Sequence, residues 1–199
     1  MLCSGCFSDL STGRIEAVSK AEDPVRVDLD FPGGIYTVEP SELSMYASDL
    51  ALEQLLEGTV AQGQILHAQL LWSPLPGSTP VDPTATNLTL RLVLISDGEM
   101  GLYGGAGFAW PRGTIGEESI ELDIVGSTLT LLHSTEGFRD LLSPMMIVGR
   151  LKADHDPVMT LRTRQAASQL VTDMLGTTQW VGTGISPSWV ARVEPQAGP

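Results

Sequence analysis

Three features of the sequence predict an α+β domain dominated by an antiparallel sheet, in the form of a curved sheet, a sandwich or a partial barrel with two to four helices. Strand-like segments follow one another with only turns between them, whereas a parallel sheet needs a long crossover, usually a helix, between paired strands. The clearest strand pattern is residues 88–95, where leucines at every second position share one face. Helical spacing is confined to a few separate segments.

Length and hydrophobic content indicate one domain with one core. The chain has 199 residues, of which 42% are hydrophobic. We assign residues 1–22 to an N-terminal tether, 23–194 to a single α+β domain and 195–199 to a C-terminal tail. No apolar stretch approaches the roughly 20 residues of a membrane-spanning helix, so the body of the protein is expected to be soluble.

The charge balance argues against one class of partner. The chain has 24 acidic and 11 basic residues, which gives a formal net charge of -13. A protein with this charge repels phosphate backbones, so we expect no nucleic-acid binding. Only 18% of the residues are charged, which is typical of a folded chain rather than a disordered one.

The first third of the chain predicts a strand, a helix and a second strand. Apolar and charged side chains alternate over 25–31 until the Pro-Gly-Gly sequence at 32–34 ends the strand. Leucines within 48–57 share one helical face, and Gly58 follows where a C-cap glycine belongs. The apolar run within 59–72 predicts a long, largely buried strand.

The middle of the chain predicts a long loop and then two hairpins. Four prolines within 73–86 exclude regular structure, so this segment is expected to be a surface loop. Ser-Asp-Gly at 96–98 predicts a tight turn, and Gly-Ser at 126–127 predicts another. The expected hairpins are 88–95 with 99–110, and 120–124 with 129–132.

The last third predicts two helices and two strands. Gly176 occupies the C-cap position of the longer helix. The pattern leaves open whether 158–162 belongs to that helix or to a strand, because Pro157 suits a helix start whereas the following residues alternate as in a strand. The expected elements are a helix over 135–142, a strand over 145–153, a helix over 167–175 and an edge strand over 189–193.

A glycine-rich strand over 101–108 is the first candidate for a ligand site. It lacks the sequence context of phosphate-binding loops, because no G-x-G-x-x-G and no Gly-Lys-Ser/Thr is present. Glycines inside a strand instead mark a bulge or bend, or a place where another backbone or ring comes close. If the sheet curves into a cup, Tyr103, Phe108 and Trp110 are the candidates to line an apolar ligand site.

The densest cluster of chemically active side chains is Asp154, His155 and Asp156 on a predicted turn. A carboxylate beside a histidine can orient the imidazole or bind a cation. These residues therefore give the alternative interpretation, a hydrolase or metal-dependent enzyme, with His133 as a possible further participant. The competing structural interpretation is that Asp156 caps a following helix.

Both cysteines lie within the first six residues. The sequence Cys3-Ser4-Gly5-Cys6 resembles the cleavage end of a bacterial lipoprotein signal, although Cys3 stands where leucine is usual. The resemblance implies lipid attachment at Cys6 and a position on a membrane surface of the bacterial cell envelope. Two alternatives stay open: incidental thiols, and half of a zinc site, for which no second pair of ligands is apparent.

The sequence contains none of the nucleophile-elbow, zinc-protease or EF-hand motifs. We therefore expect a noncatalytic, lipid-anchored envelope domain, or otherwise a soluble one, that binds a partner protein or a small apolar ligand without a cofactor or metal. The glycosylation sequon at 87–89 abuts a strand, and we do not expect it to be used.

Overall fold

The computed structural model describes residues 13–39, 42–74, 85–178 and 180. These residues form nine strands and two helices, so the predicted α+β class with an antiparallel sheet is confirmed. The elements are β1 (Gly13–Ser19), β2 (Arg26–Phe31), β3 (Gly34–Glu39), β4 (Glu42–Ser48), α1 (Leu52–Glu57), β5 (Gly63–Leu70), β6 (Leu88–Ser96), β7 (Glu99–Arg112), β8 (Ser119–Ser134), β9 (Met145–His155) and α2 (Pro157–Leu175).

The sheet closes on itself through β9. One edge of β9 pairs with β8, while the other edge pairs with β1 over 145–150 and with β3 at Asp154 and His155. The β3–β9 contact is parallel, and the other strand pairs among the described residues are antiparallel. Strands β3 to β9 therefore form a closed ring, and β1 and β2 extend the sheet from the free part of the β9 edge.

Side chains alternate between the inside and the outside of this barrel. Met45 packs in the inner core and its neighbour Tyr46 in an outer cluster; Leu66 and Ile65 are divided in the same way. All nine strands contribute buried apolar residues to the inner core. The barrel interior is therefore filled by side chains rather than forming an open channel.

Helix α2 covers part of the outer face. Its N-cap is Asp156, whose carboxylate accepts a hydrogen bond from the Met159 amide at 2.8 Å, and its C-cap is Gly176 in the left-handed conformation. The segment 158–162, left open by the sequence, is helical. The outer cluster between α2 and the sheet contains Tyr46, Ile65, Val93, Leu102, Ala167, Leu170, Val171 and Trp180. Within the described ranges, neither helix has the length and apolar character needed to cross a membrane.

The predicted second hairpin is wrong, because 119–134 form one continuous strand. Gly126 and Ser127 pair with β7 at Phe108 and Gly107, and Val125 is skipped as a bulge. Long neighbouring strands lie on both sides of β8 and supply ladder partners through this point. A glycine-containing pair within a strand therefore makes a bulge here, not a turn.

The predicted helix over 135–142 is also wrong. The segment forms turns because its polar groups bond to neighbours that a helix would not reach. Thr135 continues the contact with β7, since its amide donates to the Met100 carbonyl at 2.9 Å. The Asp140 carboxylate accepts from the amides of Leu142 and Ser143, at 3.0 Å each, as in a turn.

Three strands lie where the sequence analysis did not place them. Residues 13–19, within the predicted tether, form β1 between β2 and β9 because Ile15 and Ala17 reach the inner core. Strands β3 and β4 were missed, and the predicted helix over 48–57 is confined to 52–57. The predicted edge strand 189–193 and most of the predicted loop 73–86 lie outside the described residues.

Candidate ligand-binding site

A cavity of about 550 Å³ opens at one end of the barrel. It lies between β2 and the start of β5, where the described strands form no backbone ladder and the Gln64 side-chain amide bridges to the Asp30 carbonyl at 2.8 Å. Leu29, Tyr103 and Leu142 are buried inner-core residues that reach it. The remaining apolar lining consists of Val25, Val27, Leu94, Ile95, Phe138 and Leu141.

The segment 138–142 forms one wall of the cavity and is fastened to the barrel interior by Asp140. The Tyr103 hydroxyl donates to Asp140 Oδ1 at 2.8 Å, and that oxygen also accepts the two amides that shape the turn. Burial raises the pKa of Tyr103 well above its usual value, and the neighbouring carboxylate raises it further. Tyr103 therefore remains a neutral hydrogen-bond donor at physiological pH.

The ring of Phe138, which belongs to this wall, packs directly against Gly101. A Cβ atom at Gly101 would lie 2.3 Å from Phe138 Cε1, so only glycine leaves space for the ring. Gly105 and Gly107 permit a second close approach, since a Cβ at either would lie 1.9 Å or 2.2 Å from a carbonyl oxygen of β8. Of the alternatives predicted for these glycines, the close approach of a backbone and of a ring are both found, but the ring belongs to Phe138 and not to Tyr103, Phe108 or Trp110.

Comparisons with known proteins give no family for this chain. No family model matches the sequence, no curated protein is significantly similar to it, and no solved structure matches it. Its function is therefore inferred from the geometry and chemistry of the site.

The three predicted aromatic residues do not form one site. Tyr103 points into the barrel and is 1% exposed, whereas Phe108 and Trp110 lie on the outside. There the ring of Phe108 contacts those of Trp110 and Trp72 edge-on, with centroids 5.3 Å and 5.9 Å apart. Alternation in β7 separates them, because residues 103 and 108 differ by an odd number of positions.

Beside this aromatic group, Asn87 is fully buried. Its side chain accepts from the Ala109 amide at 2.8 Å and donates to the Ala109 carbonyl at 2.9 Å, and it also donates to the Trp72 carbonyl. This carboxamide joins the start of β6 to β7 in the folded protein. Asn87 therefore has a structural role there.

Asp154, His155 and Asp156 lie where the end of β9 pairs with β3 and α2 begins, here called the barrel seam, and each has a structural role there. Asp154 and His155 pair with β3 through their backbones, and the His155 ring lies 4.9 Å from that of Tyr36. Asp156 caps α2, as the structural interpretation proposes. None of the three lines the cavity described above, and the described ranges contain no group of His, Cys, Asp and Glu side chains suited to a metal ion.

The sequence analysis missed a buried Ser44–His67 pair on the outer face of β4 and β5. Ser44 Oγ and His67 Nε2 are 2.9 Å apart, and the His67 ring stacks on Tyr46 with centroids 4.3 Å apart. Burial lowers the pKa of His67 to about 3, assisted by the positive charges of Arg91 and Arg164. Such a histidine is a poor proton acceptor, and its ring nitrogen is satisfied by Ser44.

His133 is exposed near the end of β8, where it pairs through its backbone with Leu102. It is on a different part of the barrel surface from the 154–156 seam, so the structure does not combine these residues into one centre. Cys3 and Cys6 lie outside the described residues.

Proposed function

We propose that this protein is a noncatalytic binding domain that takes a small apolar ligand into the mouth of its barrel. The single observation that carries the proposal is the cavity of about 550 Å³, whose lining combines buried core side chains with a wall held by hydrogen bonds. Ligand pockets in proteins have volumes of about 300–1,000 Å³, apolar walls and a few fixed polar groups.

Two features of the wall favour ligand binding over simple packing. Leu141 is 67% exposed although it belongs to the cavity lining, so an apolar ligand would remove it from water. Asp140 holds the segment in place before any ligand arrives, which lowers the ordering cost of binding. Together these features describe a preformed site with unsatisfied apolar surface.

Calorimetric titration with decan-1-ol tests this function. We expect saturable binding, weakened roughly fivefold to tenfold by Leu141→Gln, because the variant loses apolar contact with the ligand. Leu161→Gln is the matched control, since Leu161 is an exposed leucine on α2 outside the cavity. Absence of binding, or equal weakening by both substitutions, would contradict the proposed site.

For cellular location, we propose that the domain is anchored to a membrane of the bacterial cell envelope through a lipid on Cys6. The support is the resemblance of Cys3-Ser4-Gly5-Cys6 to the cleavage end of a lipoprotein signal. Mass spectrometry of the protein from its native host tests the anchor. Diacylglycerol on Cys6 as the first residue is expected, whereas an unmodified Cys6 preceded by an intact Met1 contradicts it.

A further inference from the structure

We propose that the cavity selects amphipathic anions, with the apolar tail in the barrel mouth and a carboxylate or similar oxyanion against Arg139. This inference rests on the proposed function, because it names the ligand class of the same cavity. It is carried by the difference between Arg139 and every other charged group that lines the cavity.

The two carboxylates in the cavity lining already have partners. Asp28 accepts a hydrogen bond from Arg14 at 2.7 Å, and Asp49 accepts one from the Gln64 amide at 2.7 Å. One oxygen of each carboxylate is therefore engaged within the protein. Arg139 belongs to the same lining, and within the described ranges its guanidinium has no hydrogen bond or ion pair.

Arg139 differs in this respect from the four arginines on the strands of the sheet that form ion pairs. The arginines at 14, 26, 112 and 150 on the sheet each form an ion pair with Asp or Glu. Asp140 follows Arg139 directly, yet its Oδ1 is engaged by the Tyr103 hydroxyl and by two amides. Among the described residues, the neighbouring acid is therefore used in the turn, while the Arg139 guanidinium has no such contact.

The chemistry of this rim fits an oxyanion attached to an alkyl or aryl group. A guanidinium presents paired N–H donors in the geometry that a carboxylate accepts. Next to it, Phe138 and Leu141 provide apolar contact for the first part of the tail. Because the net charge of -13 repels anions at long range, a local cation is needed to retain one at the mouth.

Paired titrations with decanoate and decan-1-ol, below their aggregation concentrations and at neutral pH, test the inference. The two probes share a ten-carbon chain and differ in the charge of the head group. We expect decanoate to bind roughly tenfold more tightly than decan-1-ol, because its carboxylate can form a charge-assisted hydrogen bond with Arg139. Arg139→Gln should remove this difference between the two probes.

Arg162→Gln is the matched control, because Arg162 is exposed on α2 and does not line the cavity. It should preserve the preference for decanoate. Equal affinity of the wild-type protein for both probes would overturn the anion preference and leave the apolar site standing. A preference that survives Arg139→Gln would also overturn it, whereas failure of both probes to bind would overturn the proposed function itself.

Discussion

The hydroxyl of Tyr103 donates a hydrogen bond to Asp140 Oδ1 across 2.8 Å, which joins a side chain inside the barrel to the segment that forms the cavity wall. The same carboxylate oxygen accepts the amides of Leu142 and Ser143. One acidic side chain therefore sets both the shape of the turn and its distance from the barrel. Since Arg139 precedes Asp140, this contact also determines where the proposed anion-binding group lies.

Asp140→Ala tests whether this carboxylate holds the turn against the barrel. It removes the acceptor for one hydroxyl and two amides, so we expect the free energy of unfolding to fall by about 2–4 kcal/mol. Urea unfolding measures the change, and faster hydrogen exchange at Leu142 and Ser143 should locate it. Asp173→Ala, which removes only an exposed contact with Gln169 on α2, should change stability little; an equal loss in both variants would contradict the assigned role.

Gly101→Ala tests the packing of Phe138. A methyl group at position 101 would collide with the ring, so overpacking should lower stability by about 1–3 kcal/mol. Gly126→Ala is a matched control in the next strand, because no atom lies within 4 Å of the position of its Cβ. Combining Gly101→Ala with Phe138→Leu should recover part of the loss, and strict additivity in thermal unfolding would argue against the contact.

Substitutions at Asn87 and Thr89 separate the loss of the buried hydrogen-bond network from the loss of the glycosylation sequon. Both Asn87→Ala and Thr89→Ala abolish the sequon, but only the former removes the buried bonds to Ala109 and Trp72. We expect Asn87→Ala to cost about 2–4 kcal/mol in urea unfolding, because it leaves buried backbone groups unsatisfied. Thr89→Ala should cost less than about 1 kcal/mol, and similar costs would contradict the network.

His67 predicts a pH dependence of stability. Its pKa falls from 6.5 to about 3 on folding, so below pH 6.5 the unfolded chain binds a proton that the native protein excludes. Stability associated with this residue is complete above pH 6.5 and is lost between pH 6.5 and about 3, by up to about 1.4 kcal/mol for each pH unit.

His67→Gln should remove that part of the slope in urea unfolding between pH 6.5 and 4.5. The exposed His133→Gln should retain it, which separates His67 from the general effect of a histidine substitution. Identical slopes in the wild-type protein and His67→Gln would show that burial at this position does not control its protonation.

The sequence predicts the parts of the fold that local patterns determine. Alternation over 88–95 identifies β6, and the caps Gly58 and Gly176 mark the ends of both helices, because these features depend on adjacent residues. Ring closure could not be predicted in this way. It depends on the pairing of β9 with β3, whose residues are more than one hundred positions away in sequence.

The candidate site was only partly predictable for the same reason. The sequence names Tyr103 as a candidate, and it indicates close approach at the glycines of β7 because glycine inside a strand leaves room for a neighbour. Arg139 gave no local signal, since the spacing over 135–142 suggested a helix and the partners of Asp140 include the distant Tyr103. The 154–156 cluster shows the opposite error, because residues with active chemistry can serve as a strand seam and a helix cap.

The most direct test of binding in the barrel mouth is a titration of ¹⁵N-labelled protein with decanoate, followed by amide chemical shifts. We expect saturable shifts concentrated at the lining residues 62–64, 94–96, 138, 139, 141 and 142. Shifts concentrated instead around Trp72, Phe108 and Trp110 would assign binding to the outer aromatic group. That result, or the absence of any saturable shift, would contradict a ligand site in the barrel mouth.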